Sequence, residues 1–299
     1  MRTLAAWFIF LALFSATVSV GADQQLFPAE SPGPEGSYLT IHNLRPAHDL
    51  TVGSGARVGI LDHSFEMDAH PGLYAGGSRF WPTTDLPEAG DGTYRGFWMA
   101  MTVREIAPEA AIFALDIPPE DDGARVDAIV QALDWAVAQD LDVVTYCGEA
   151  LSATAREILD PALQRTVDAG VVVAFVGYPH PRNLLPGGFG PSAPGNLRGP
   201  DLNIFSDDCT SLLAGHFQAL VEPDDDTVRR NRPFLAQPRT GSVTAGLVAL
   251  VKSVDPDATP EEVKSILVET SRPMVFRGRR ADRVPDAFRA VSRARGMKT

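Results

Sequence analysis

The chain has 299 residues, of which 44% are apolar and 21% charged, and its formal net charge is −12. This composition is ordinary for a globular protein and argues against a disordered chain. The negative charge argues against nucleic acid as a general partner, because nucleic-acid binding depends on basic surfaces.

The N-terminus has the three parts of a secretory signal peptide. Arg2 supplies a positive charge, residues 4–20 are mostly apolar, and the small residues Gly21 and Ala22 follow. The pattern predicts a signal peptide over residues 1–22, cleaved after Ala22, and export to a secreted or periplasmic location. An uncleaved membrane anchor is the alternative, disfavoured because a span needs about 20 apolar residues. We expect no stable membrane span after cleavage.

The remaining sequence divides into two parts. Residues 23–50 are rich in Pro, Gly, Ser and Asp and are expected to form a loose lead-in. From residue 51 to residue 299, short apolar runs alternate with stretches of helical length. The predicted strands are 58–61, 111–115, 142–146 and 171–176, and the predicted helices are 96–105, 124–139 and 152–169. Buried strands between helices indicate one α/β domain, with a mostly parallel central sheet and helices on both faces.

Two cysteines occur, Cys147 and Cys209. In an exported protein they could form one disulfide, and they could equally be buried thiols. The sequence has no Cys/His spacing typical of zinc, no phosphate-binding loop and no dinucleotide motif. The acidic run 224–226 could bind calcium weakly, although such a run is usually a solvated surface. We therefore predict no cofactor and no metal.

Six blocks of the sequence follow one another in an order typical of a known family. They are residues 57–62 with 70–73, 96–110, 133–136 with 142–148, 170–177, 244–252, and 259–264 with 283–291. In order and spacing they resemble the subtilisin-like serine proteases, the subtilase family, over roughly residues 50–295. The resemblance implies a subtilisin-like three-layer fold and a cleft for an extended peptide.

Subtilase chemistry needs a serine nucleophile, a histidine base, an aspartate that orients the histidine, and an asparagine that stabilises the oxyanion. The resemblance places the retained aspartate at Asp62. It places Arg95 where the family has histidine, Tyr178 where it has asparagine, and Pro238 where it has serine. Arginine stays protonated and proline has no nucleophilic atom. The resemblance therefore implies a protease fold without its catalytic machinery.

Other arrangements of the same residues stay open at this point. Ser242 becomes the nucleophile if the central helix is realigned by four residues. A substitute base would have to come from a histidine outside the family's motif, and such a histidine is more often structural; the candidates are His63, His70, His180 and His216. Asp62 and Arg95 could form an ion pair across the former cleft, or Asp62 could bond local backbone while Arg95 faces solvent.

Three functions are compatible with these residues. The favoured one is an exported pseudoprotease that holds a peptide or protein segment in the former substrate cleft by strand addition. The alternative is an active serine endopeptidase with a site rearranged around Ser242. The third is a structural component of a larger exported assembly.

Overall fold

The computed structural model describes residues 42–82, 95–119, 122–147, 152–185, 196–198, 203–205, 236–276 and 279–296. The main sheet consists of β1 (Arg57–Asp62), β2 (Gly76–Arg79), β3 (Ala111–Asp116), β4 (Val143–Tyr146) and β5 (Val172–Phe175). Two antiparallel pairs form separate small sheets, β6 (Asn196–Arg198) with β7 (Asn203–Phe205) and β8 (Arg272–Phe276) with β9 (Arg279–Val284).

The strands of the main sheet lie in the order β2-β3-β1-β4-β5, and all neighbours are parallel. Strand β1 is central, with Asp62 opposite Asp116 of β3 and Leu61 opposite Tyr146 of β4. The strands that follow β1 in the chain extend the sheet first on one side and then on the other. This leaves a crevice between the carboxyl ends of β1 and β4, which is where open α/β sheets bind their ligands.

Helices cover both faces of this sheet. One face carries α1 (Leu44–His48), α2 (Arg95–Ile106), α5 (Ala236–Val254), α6 (Pro260–Glu269) and α7 (Ala287–Gly296), and the other carries α3 (Asp122–Ala138) and α4 (Ala153–Asp168). Successive residues of β1 belong to the two cores, Ile60 to the first and Leu61 to the second. The predicted α/β fold is confirmed. In the described part of the chain, no helix combines the length and the apolar character needed to cross a membrane.

The structure differs from the prediction at the end of the lead-in. Leu44 and Ala47 of α1 are fully buried, and His42 Nδ1 lies 3.0 Å from the carbonyl oxygen of Pro285. The folded part of the chain therefore includes residues 42–50, which the composition had assigned to a loose segment. A five-residue helix is too short to show a helical period in the sequence.

A buried ion pair stabilises the amino edge of the sheet. Lys252 of α5 is 6% exposed, and its Nζ lies 3.6 Å from Asp142 Oδ1, just before β4. The same amino group donates hydrogen bonds to the carbonyl oxygens of Pro256, at 2.7 Å, and Ala258, at 3.0 Å. The backbone N–H of Arg57 donates to Asp142 Oδ2 at 2.8 Å. One carboxylate thus connects α5 to the starts of β1 and β4.

Candidate functional site at the carboxyl edge of the sheet

The candidate site lies where the two central strands end. Asp62 is the last residue of β1, and Cys147 directly follows the neighbouring strand β4. The parallel arrangement brings both residues to one edge, on either side of the crevice. Arg95, the first residue of α2, donates hydrogen bonds to both of them.

Arg95 and Asp62 form a partly buried ion pair. Arg95 Nη2 donates to Asp62 Oδ2 at 3.3 Å, and Nε lies 3.3 Å from Oδ1. Nη2 also donates to the carbonyl oxygen of Cys147 at 2.8 Å. The Asp62 carboxylate raises the pKa of Arg95 and outweighs the opposite effect of burial. Of the two arrangements considered for this pair, the structure has the ion pair, and a guanidinium held in this way cannot accept a proton near neutral pH.

The loop after β1 fixes the start of α2. The N–H groups of Gly96 and Phe97 donate to the carbonyl oxygens of His63, at 2.8 Å, and Ser64, at 3.2 Å. A Cβ atom on Gly96 would lie 2.7 Å from the His63 carbonyl oxygen, so this close approach requires glycine. These contacts hold the start of α2 against the end of β1. They explain how Arg95 reaches Asp62 although the two are 33 residues apart.

His63 is one of the candidate bases, and it lies beside the ion pair. Its Nε2 is 3.7 Å from Asp62 Oδ1, and its Nδ1 is 3.0 Å from the hydroxyl oxygen of Ser64. Ser64 has a left-handed backbone with φ 58°, which is uncommon for a residue other than glycine. From the sequence, His63 is only a candidate base outside the family's motif. The sequence does not indicate that its imidazole lies beside the Asp62–Arg95 ion pair.

The other candidate bases have structural surroundings. His70 stacks on Phe97 with ring centroids 4.6 Å apart, and burial lowers its pKa. His180 is 7% exposed, and its Nδ1 accepts a hydrogen bond from the N–H of Arg182 at 3.3 Å. His216 lies outside the described residues. The contacts of His70 and His180 are those of packed, structural histidines.

Tyr178 directs its hydroxyl to the other face of the sheet. The hydroxyl donates to Asp160 Oδ1 of α4 at 2.7 Å, and burial, with the Asp160 carboxylate, raises the pKa of Tyr178. The hydroxyl is therefore engaged away from Arg95. The sequence did not indicate the role of Asn183, which donates to the carbonyl oxygen of Tyr178 at 2.8 Å and accepts from the N–H of Phe175 at 2.9 Å. Asn183 holds the turn after β5 in place.

The two candidate nucleophile positions lie near the start of α5. The helix begins at Ala236, so Pro238 falls in its first turn, where proline is tolerated because its missing N–H has no helical acceptor. Ser242 lies about one turn further along and is completely buried. A nucleophile must reach its substrate, so this burial gives no support to Ser242 as a catalytic residue.

Cys147 is a free thiol packed against α5. The backbone N–H of Gly241 donates to it, and a Cβ atom on Gly241 would lie 2.6 Å from Cys147 Sγ. Burial raises the pKa of the thiol from 9.0 to about 12. Of the two alternatives for Cys147, a disulfide or a buried thiol, the structure has the buried thiol. Cys209 lies outside the described residues. Within the described ranges, no group of His, Cys, Asp and Glu side chains could hold a metal ion.

We expect Cys147 to react with iodoacetamide at pH 8 about a thousand times more slowly in the native protein than in the urea-unfolded protein. The thiolate is the reacting form, and a pKa of about 12 leaves very little of it at this pH. The measurement uses a Cys209→Ser variant, so that all label reports Cys147. Equal rates in the two states would contradict the buried position, and a wild-type chain without thiols after unfolding would indicate a disulfide.

Comparison with known proteins relates this geometry to a family. No protein-family model matches the chain. Subtilisin E of Bacillus subtilis (strain 168) is 24% identical over 252 residues, which cover 74% of this chain and 61% of subtilisin E. A protease from Pseudoalteromonas arctica has a TM-score of 0.54 at 16% identity, over 85% of this chain and 94% of that one. The nisin leader peptidase NisP from Lactococcus lactis has a TM-score of 0.57 at 12% identity, over 86% and 92%.

The chain is a subtilase relative. The family relationship and the subtilisin-like fold predicted from the sequence are confirmed. The match to subtilisin E spans 61% of that protein's length, and the structural neighbours establish the fold. In this subtilase relative, the Asp62–Arg95 ion pair lies beside the crevice at the carboxyl edge.

Proposed function

We propose that this subtilase relative binds a peptide or protein segment in the cleft at the carboxyl edge of its sheet and does not hydrolyse it. The Asp62–Arg95 ion pair carries the proposal, because it puts a permanent cation beside the aspartate that a catalytic histidine would need. The structural neighbour NisP is named as the nisin leader peptidase. That name supports a peptide as the class of ligand.

The magnitudes support a loss of catalysis. The sequence alignment implies that Arg95 and Pro238 occupy the histidine and serine positions. In subtilisin, losing either residue costs roughly 10⁶-fold in turnover, equivalent to about 8 kcal/mol of transition-state stabilisation. Losing both costs little more, because the two act as a unit. The alternative of an endopeptidase rearranged around Ser242 is disfavoured, because Ser242 is completely buried.

The first test of the proposal is enzymatic. The purified protein should neither hydrolyse casein nor react with a fluorophosphonate, which labels activated serines. A Ser242→Ala variant serves as the matched control, and an active subtilisin in the same assay shows that the reagents work. Stoichiometric labelling of the wild type that disappears in Ser242→Ala would establish the alternative function.

The second test concerns binding. Immobilised protein is incubated with a random pentapeptide pool whose C-termini are amides or free carboxylates, and retained peptides are identified by mass spectrometry. We expect retention above that of a column carrying the urea-unfolded protein. If neither the folded nor the urea-unfolded protein retains peptides, peptide binding is contradicted. A structural role in an exported assembly would then be the remaining function.

Export is part of the same proposal. The charged start, the apolar run and the small residues before position 23 support a signal peptide cleaved after Ala22. Mass spectrometry of the protein from the culture medium or periplasm should find an N-terminus at Asp23. Recovery of the exported protein with Met1 and the apolar run intact would contradict cleavage.

A further inference from the structure

The guanidinium of Arg95 has donors that the described part of the chain does not use. It carries five N–H groups. Nη2 uses both of its hydrogens, on Asp62 Oδ2 and on the carbonyl oxygen of Cys147. Nε lies 3.3 Å from Asp62 Oδ1 and, among the described residues, is buried without a hydrogen-bond partner. Among the described residues, no group accepts a hydrogen bond from Nη1. The side chain is 26% exposed, and within the described part of the chain these two N–H groups have no acceptor.

The charges around this crevice favour an anionic group. Arg95 is balanced by Asp62, and Arg79 of β2 is balanced by Asp116 of β3, with Nε 2.6 Å from Oδ2. Arg125 of α3 remains, because its partners in the described part of the chain are two backbone carbonyls just after β3 and the side chain of Tyr146, none of which is a carboxylate. Within the described residues of the carboxyl edge, Arg125 therefore has no carboxylate partner.

Tyr146 shows that the two arginines act on the same place. Its hydroxyl is buried, and the side chain of Arg125 interacts with it. Burial raises the pKa of this hydroxyl and Asp62 adds to the rise, while the charges of Arg125 and Arg95 both act in the opposite direction. The strongest electrostatic influence on Arg95 itself is Asp62. A ligand group near Arg95 would thus also experience the positive charge of Arg125.

We propose that Arg95 selects the ligand by binding a carboxylate through Nη1, while Nη2 and Nε stay with Asp62 and Cys147. A guanidinium recognises a carboxylate better than a neutral carbonyl because the hydrogen bonds are charge-assisted. Two parts of a peptide supply this group, the C-terminal carboxylate and the side chain of Asp or Glu. The inference rests on the proposed function, since it names the chemistry of the ligand held in the same cleft.

The test competes amide and free-acid pentapeptides on one column of the full protein. Charge-assisted hydrogen bonds predict that peptides with a carboxylate are retained about tenfold more than peptides without one. The preference should disappear in Arg95→Gln, weaken in Arg95→Lys, which keeps the charge but loses the planar fork, and persist in the matched control Arg79→Gln. Thermal denaturation checks that each variant is folded. The competition on the wild-type protein tests the preference for a carboxylate without relying on any variant.

Each outcome has one meaning. Enrichment of all free-acid peptides supports a C-terminal carboxylate, and enrichment of amidated peptides containing Asp or Glu supports a side-chain carboxylate. Equal retention of peptides with and without a carboxylate would overturn the inference and leave peptide binding intact. A preference that survives in Arg95→Gln would assign the selection to another residue and also overturn it. Retention of neither pool would overturn the inference together with the proposed function.

Discussion

Replacing Arg95 with glutamine should lower the free energy of unfolding by about 3 kcal/mol, because Asp62 would stay buried with its charge unpaired. Asp62 is 2% exposed, and it would keep the hydrogen bond from the N–H of His63 at 2.9 Å. Arg95 is 26% exposed, which places the loss at the lower end of the range of about 3–5 kcal/mol for buried pairs. Urea denaturation followed by circular dichroism measures the change.

A double variant separates the ion pair from other effects. Asp62→Asn combined with Arg95→Gln should lose less stability than the sum of the single variants, by roughly 1–3 kcal/mol. The matched control is the pair Arg165–Asp134, which has the same chemistry at 3.2 Å, but both of its side chains are more than half exposed. Arg165→Gln should cost less than about 1 kcal/mol. Strict additivity in the Asp62–Arg95 cycle would show that the pair is not energetically coupled.

Replacing Lys252 with methionine should lower the free energy of unfolding by about 3 kcal/mol or more. Methionine fills much of the same volume, so the loss reports charge and hydrogen bonds rather than a cavity. The change leaves Asp142 without its cation and removes the donor to the carbonyl oxygens of Pro256 and Ala258. Lys264→Met, on the partly exposed face of α6, is the control and should change stability by less than about 1 kcal/mol, the usual limit for an exposed charged group.

The effect of Lys252→Met should decrease in acid. Burial raises the pKa of Asp142, and Lys252 is one of the groups that lower it, so the variant has a folded-state pKa still further above the unfolded value. With a raised folded-state pKa, the folded form gains stability relative to the unfolded form as the pH falls through that pKa. The difference between variant and wild type should therefore be larger at pH 7 than at pH 4. A difference that does not change with pH would show that Asp142 is not the group left unpaired.

The architecture could be predicted because its signals are local. Four of the sheet's strands are runs of apolar residues buried on both faces, and the runs at 58–61 and 111–115 correspond closely to Arg57–Asp62 and Ala111–Asp116. The boundaries of α2 were predicted within one residue, at 96–105 against Arg95–Ile106. The pairing of Asp62 with Arg95 was one of two arrangements considered from the sequence. It followed from the family's order of motifs rather than from either residue alone.

The remaining contacts of the site join residues far apart in sequence and carry no local signal. Tyr178 bonds Asp160 across the second core, and Cys147 packs on Gly241 because that position has no side chain. Neither contact follows from a motif. The β8–β9 hairpin was not predicted either, since Arg279–Val284 is RRADRV and lacks an apolar alternation. Tertiary context determines these features, so a pattern within one segment cannot show them.

The two hydrogen bonds from Gly96 and Phe97 to the loop after β1 also provide a way to measure local opening of the crevice. The backbones of Asp62 and Arg95 cannot move apart without breaking these bonds, which would expose both amides to solvent. Hydrogen–deuterium exchange at these two amides therefore reports local opening of the crevice separately from global unfolding. A ligand held between the end of β1 and the start of α2 would slow their exchange and leave the amides of α6 unchanged.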